Sequence, residues 1–60
     1  MEKFYTVKEI AEILSVGYSK VLDLIALGDL QAIKLGKEYR ISPYALHQLV
    51  KAKQVKSFWK

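Results

Sequence analysis

The chain has 60 residues, of which 52% are apolar and 27% are charged. A chain of this length forms one domain and buries only about 60% of the surface that its unfolded form exposes, so a compact core is possible but a large catalytic cavity is excluded. The formal net charge of +4 and the isoelectric point near 9.5 favour a polyanionic partner.

The first helix is predicted to begin at Val7. Thr6 and Glu9 have the S/T-x-x-E spacing of a capping box, in which each side chain accepts a hydrogen bond from the other residue's backbone N–H. Apolar residues then recur at helical spacing and form one buried stripe, which consists of Val7, Ile10, Ala11 and Leu14.

The second helix is predicted over residues 18–27, after residues 15–17 break the first period. Val21, Leu24 and Ile25 form its buried face. Gly28 follows directly, where helices commonly end on a residue in the left-handed conformation. The two short helices are therefore joined by a tight turn.

A hairpin is predicted next, because residues 31–35 and 39–42 alternate apolar and polar side chains. A two-residue turn at 36–37 would set Ile33 against Arg40, so we favour a three-residue loop at 36–38. This loop places Glu38 near a position that usually prefers glycine. The pairs that it predicts are Leu35 with Tyr39 and Ile33 with Ile41 on one face, and Lys34 with Arg40 on the other.

The third helix is predicted over residues 43–53. Ser42 supplies a capping hydroxyl, and Pro43 stands at the first helical position, where its missing N–H costs nothing. The residues that continue at helical spacing are Leu46, Leu49, Val50 and Lys53, and the apolar side of this helix is expected to close the core. The order is thus helix-helix-strand-strand-helix, an α+β domain over residues 1–53 followed by a basic and aromatic tail over residues 54–60.

The side chains required for catalysis and metal binding are scarce. The chain has no cysteine, which fits a reducing interior, and His47 has no second histidine to complete a metal site. There is also no phosphate-binding glycine loop and no apolar run long enough for a signal peptide or membrane span. We therefore expect an intracellular protein that is not an enzyme and takes no cofactor, metal or small-molecule ligand.

Residues 6–14, Val16, 28–32 and 35–41 form a spaced set that ends in Gly-x-x-Tyr-Arg-Ile. This set resembles the small excisionase-type helix-turn-helix domain, which is related to the MerR winged helix, and the resemblance covers residues 4–50. It implies a winged helix-turn-helix that binds DNA. Such domains occur in recombination directionality factors of phages and mobile elements, and in small transcription regulators.

In a helix-turn-helix, the N-terminal residues of the second helix face the base edges of the major groove. Here they are Tyr18, Ser19, Lys20 and Asp23. Lys20 can donate to guanine or to a phosphate, Ser19 can donate or accept, and Asp23 can accept from cytosine. Two other interpretations remain open: a solvated helix surface for the polar residues, and a packing role for Tyr18. Asp23 also departs from the family, which often carries more positive charge on this helix.

The hairpin is the predicted wing. Lys34 and Arg40 are expected to share one strand face with Lys37 at the tip, which gives a cationic edge for a phosphate or the minor groove. The alternative is that lysines on an edge strand only block aggregation. Residues 31–60 hold seven basic side chains and one acidic side chain, Glu38, so the second half of the chain is expected to supply most of the affinity.

The tail combines Lys56 with two aromatic residues, Phe58 and Trp59. Lys56 is a candidate for contact with the DNA backbone. The aromatic side chains either fold back on the small core or dock a second protomer or a partner protein. We favour packing or partner contact over base stacking.

Three functions remain as hypotheses. The first is an excisionase-type accessory factor of site-specific recombination in a prokaryotic phage or mobile element, which binds double-stranded DNA and contacts an integrase or a second copy of itself. The second is a small transcriptional regulator of a mobile element. The third is a protein-interaction module that docks a partner through its tail, and the low charge of the second helix keeps this hypothesis open.

Overall fold

The computed structural model describes residues 3–53. The elements follow one another in the order α1 (Val7–Leu14), α2 (Tyr18–Ala26), β1 (Ile33–Leu35), β2 (Glu38–Arg40) and α3 (Pro43–Ala52). The predicted α+β class and element order are confirmed. The predicted contacts of Lys56, Phe58 and Trp59 lie outside the described residues.

Both predicted side-chain caps are present. The Thr6 hydroxyl accepts from the Glu9 backbone N–H at 3.1 Å, and the Glu9 carboxylate accepts from the Thr6 backbone N–H at 2.9 Å. The Ser42 hydroxyl accepts from the Ala45 backbone N–H at 3.0 Å. These bonds satisfy backbone donors that have no partner inside the helix, so α1 and α3 begin where the sequence predicts.

The second helix begins at Tyr18 as predicted and ends one residue early, at Ala26. Gly28 has a φ of +85°, the left-handed conformation predicted for the end of this helix. None of the helices in residues 3–53 is long and apolar enough to cross a membrane.

The core lies where the three helices and the hairpin meet. Its largest fully buried side chains are Ile10, Val21, Leu30 and Ile41. The third helix contributes Ala45 and Leu49, whereas Val50, predicted to continue the buried pattern, is 50% exposed. This part of the prediction is wrong, because α3 turns the face that carries Ala45 and Leu49 toward the core, and Val50 lies beside it.

The hairpin has a different register from the predicted one. The Cα partners are Ile33 with Arg40, Lys34 with Tyr39, and Leu35 with Glu38. The turn therefore holds only residues 36–37, and Gly36 has the positive φ, +65°, that a two-residue hairpin turn requires at its first position.

The three-residue loop was predicted in order to place Ile33 and Leu35 on the face that carries Tyr39 and Ile41. In the structure these two side chains are 49% and 59% exposed, and Ile41 is fully buried without them. The predicted loop is wrong because it assumed that the apolar side chains of the two strands pair on one face, whereas a domain of this size leaves some apolar side chains in solvent.

The N-terminal segment pairs with the end of the hairpin. Tyr5 and Ile41 exchange two backbone hydrogen bonds, at 2.8 and 2.9 Å, as an antiparallel bridge. This pairing was not predicted. It fixes the start of α1 beside the hairpin and therefore helps to position the candidate site.

Gly36→Ala is expected to destabilise the domain by about 1–2 kcal/mol, because a β-carbon disfavours the left-handed backbone. Gly36→Asn is the matched control, since asparagine tolerates this conformation better than alanine. Chemical denaturation followed by circular dichroism measures both variants. Equal losses of stability in the two variants would contradict the assigned role of the turn.

Candidate nucleic-acid interface

The outer face of α2 is polar and open. Val21 points into the core with no exposed surface, whereas Ser19 and Asp23, two positions to either side, are exposed. Successive helix residues are rotated by about 100°, so these two side chains project away from the body of the domain. Lys20 is exposed as well, and contact of these polar side chains with DNA stays a prediction.

A cleft lies between the start of α1, the start of α2 and the hairpin. We call it the hairpin cleft; its volume is about 510 Å³. Its lining includes the charged and polar side chains of Lys8, Tyr18, Lys37, Glu38 and Arg40. The structure therefore brings Tyr18 of the second helix together with two of the three predicted hairpin cations.

Arg40 is held by its own strand. One guanidinium nitrogen, Nη2, lies 2.6 Å from the Glu38 carboxylate, and the other, Nη1, donates to the Tyr39 carbonyl at 3.0 Å. The Arg40 side chain is 31% exposed and that of Glu38 is 67% exposed. Because exposed ion pairs contribute only about 0–1 kcal/mol, a phosphate can compete with Glu38 for this guanidinium.

Lys34 lies apart from the hairpin cleft. It is paired with Tyr39, and its ammonium lies 5.7 Å from the centre of the Tyr39 ring. Cross-strand partners share a face and neighbours along a strand alternate, so Lys34 and Arg40 project from opposite faces of the hairpin. The prediction that these two cations share one face is wrong, and it fails for the same reason as the predicted register.

Lys20 lies on the other flank of α2. It lines a larger groove, of about 1070 Å³, between α2 and α3, which we call the α2–α3 groove. Tyr18 faces the hairpin cleft instead. The four predicted residues of the second helix thus divide into one toward the hairpin, two facing outward and one toward α3.

A family model described as a helix-turn-helix domain matches residues 4–54. The chain belongs to the helix-turn-helix domain family. No curated protein and no solved structure matches the chain. Helix-turn-helix domains bind double-stranded DNA and are not catalytic domains.

In this helix-turn-helix domain, α1 and α2 are the two helices of the motif. The second helix of such a motif enters the major groove while the first crosses the backbone. The exposed N-terminal half of α2 is therefore the candidate recognition surface, and the hairpin cleft lies along one edge of it.

Two residues of the hairpin cleft, Lys8 and Glu38, are not among the site residues predicted from the sequence. Lys8 lies outside the buried stripe predicted for α1, and only tertiary contacts bring it beside the hairpin. Glu38 was placed in the loop, although a two-residue turn would have put it two positions before Arg40 on the same strand face. The spacing of Glu38 and Arg40 was thus a usable signal, whereas Lys8 offered none.

Glu38→Gln is expected to strengthen DNA binding roughly 3-fold, because it removes a carboxylate near the phosphates and frees Arg40 from its ion pair. Titration of a labelled duplex at constant salt measures the change. Glu12→Gln, an exposed position on α1, is the matched control for net charge. An equal gain from both variants would show that Glu38 has no local effect on binding.

Proposed function

We propose that this helix-turn-helix domain binds DNA with the start of α2 in the major groove and the hairpin against the phosphate backbone. The observation that carries the proposal is the placement of Lys8, Lys37 and Arg40 around one cleft beside the exposed start of α2. Three cations against one carboxylate, Glu38, leave an excess of two positive charges there. Such a surface attracts the backbone without regard to sequence.

Sequence preference is assigned to the outward face of α2. Ser19 and Asp23 project there, and their short side chains can donate to or accept from base edges. Lys20, on the flank toward α3, is assigned to a guanine or a phosphate. Tyr18 is assigned to a phosphate at the mouth of the hairpin cleft, since its side chain is 56% exposed.

Lys34 has a smaller part in this proposal. Its ammonium lies over the Tyr39 ring on the face opposite Arg40, so we assign it to the general positive field of the domain. Arg40 and Lys37 supply the direct backbone contacts of the hairpin.

The biological role that we propose is that of an excisionase-type accessory factor in site-specific recombination. The resemblance of residues 4–50 to that family supports this role, and we propose with it a location inside the cell in a phage or mobile-element context. The factor would bind repeated sites beside an attachment site, together with an integrase or a second copy of itself. A small transcriptional regulator is the alternative within the same DNA-binding class.

Binding is tested by titrating a labelled duplex at several salt concentrations. Contacts from Lys8, Lys20, Lys37 and Arg40 predict a slope of about −3.6 in a plot of log K against log salt, since each phosphate contact contributes about −0.9. A slope near zero would contradict DNA binding and favour a protein-interaction module.

The biological role needs a separate measurement. Footprinting on the DNA that flanks the gene is expected to protect attachment-site repeats. Protection of a promoter alone would contradict the recombination role and support the regulator, while leaving DNA binding intact.

A further inference from the structure

The α2–α3 groove is apolar and is left open by the described residues. Its lining includes Leu27, Val50 and Val16, which are 75%, 50% and 38% exposed. An exposed aliphatic surface shared by two helices and the turn between α1 and α2 is typical of a binding site. The DNA-binding proposal does not use this surface, apart from Lys20 on its edge.

The last described residue, Lys53, lies at the rim of this groove. Lys53, the cap of α3, lines the groove, and its ammonium lies 3.2 Å from the carboxylate of Asp29, which also lines it. Lys53 therefore lies at the edge of the apolar surface.

The sequence that follows Lys53 has the right composition for such a surface. Val55, Phe58 and Trp59 supply three large apolar side chains within seven residues. Six residues extend at most about 3.3–3.6 Å each, so residues 54–59 are long enough for Trp59 to reach points up to roughly 20 Å from Lys53. A groove that begins at Lys53 is within this reach.

We propose that the α2–α3 groove is the docking site for Phe58 and Trp59 of the same chain. An aromatic side chain buries roughly 150–250 Å², and Leu27 and Val50 offer the apolar partners. The short tether gives the tail an effective concentration in the millimolar range, which favours it over a second copy of the chain. This inference goes beyond DNA binding and does not depend on it.

Tryptophan fluorescence tests the proposal, because Trp59 is the only tryptophan of the chain. When Trp59 is excited selectively, the emission maximum of the full chain is expected to be blue-shifted relative to that of N-acetyltryptophanamide. The maximum is expected to stay constant over a wide dilution series, since the contact is intramolecular.

Leu27→Glu places a carboxylate in the groove and is expected to move the emission maximum to that of N-acetyltryptophanamide. Leu35→Glu, at an exposed leucine of the hairpin, is the matched control and is expected to leave the maximum unchanged. Val50→Glu gives an independent second test from α3. Far-ultraviolet circular dichroism checks that each variant is folded.

Three results would overturn the proposal. An emission maximum at the reference position in the unmodified chain would show that Trp59 is in solvent. A blue shift that disappears on dilution would assign the groove to a second copy of the chain. If the Leu27→Glu and Val50→Glu variants are both folded and both keep the blue-shifted emission, Trp59 is buried elsewhere on the domain.

Discussion

Ile10→Ala is expected to unfold a large fraction of the molecules at room temperature. Ile10 is fully buried in the core, and truncation of a buried isoleucine to alanine costs about 2–5 kcal/mol. A single core in a domain below about 70 residues rarely supplies more than about 3–5 kcal/mol, so the loss approaches the whole stability. Urea denaturation followed by circular dichroism measures it.

Ile13→Ala is the matched control for this substitution. It makes the same change in the same helix, but Ile13 is 51% exposed. The two variants share the same gain in intrinsic helix propensity, so the difference between them reports burial. We expect Ile13→Ala to change the free energy of unfolding by less than about 1 kcal/mol. Equal losses in the two variants would contradict the described core.

The double substitution Lys37→Ala and Arg40→Ala is expected to weaken DNA binding roughly 30-fold, which corresponds to about 2 kcal/mol if each exposed contact contributes about 1 kcal/mol. The salt dependence is the sharper measurement. Loss of two phosphate contacts lowers the magnitude of the slope by about 1.8.

A second double substitution, Lys51→Ala and Lys53→Ala, removes the same net charge from the α3 side of the domain. It is expected to leave the slope nearly unchanged, because these lysines line the α2–α3 groove and not the hairpin cleft. Identical slopes for the two double variants would show that the hairpin makes no direct backbone contact and that only the net charge matters.

The helices were predictable because their signals are local. Thr6 with Glu9, Ser42 with Pro43, and Gly28 each act within one turn of a helix end, through backbone groups that need a partner. The structure places the helix ends within about one residue of the predicted ones. No long-range information was needed for this part of the fold.

The hairpin shows where local reasoning fails. The choice between a two-residue and a three-residue turn depended on which apolar side chains are buried. Ile33 and Leu35 are exposed in the structure. The glycine at position 36 was the stronger signal, because two-residue hairpin turns require a positive φ at their first position, and Gly36 has one in the structure. Turn chemistry at Gly36 should have outweighed the face pattern.

The site was predicted in its parts but not in its arrangement. Tyr18, Lys37 and Arg40 were identified from the sequence, and the structure places all three along the hairpin cleft. Lys34 was assigned to the wrong face through the register error. Lys8 joins the cleft only because the start of α1 is tied to the end of the hairpin, a tertiary contact with no sequence signature.

The bridge between Tyr5 and Ile41 also couples the starts of two helices. Thr6, the cap of α1, follows Tyr5 directly, and Ser42, the cap of α3, follows Ile41 directly. Opening the bridge is therefore expected to weaken both caps together, which couples the N-terminal ends of α1 and α3. The candidate recognition helix packs on α1, so the same bridge supports it indirectly.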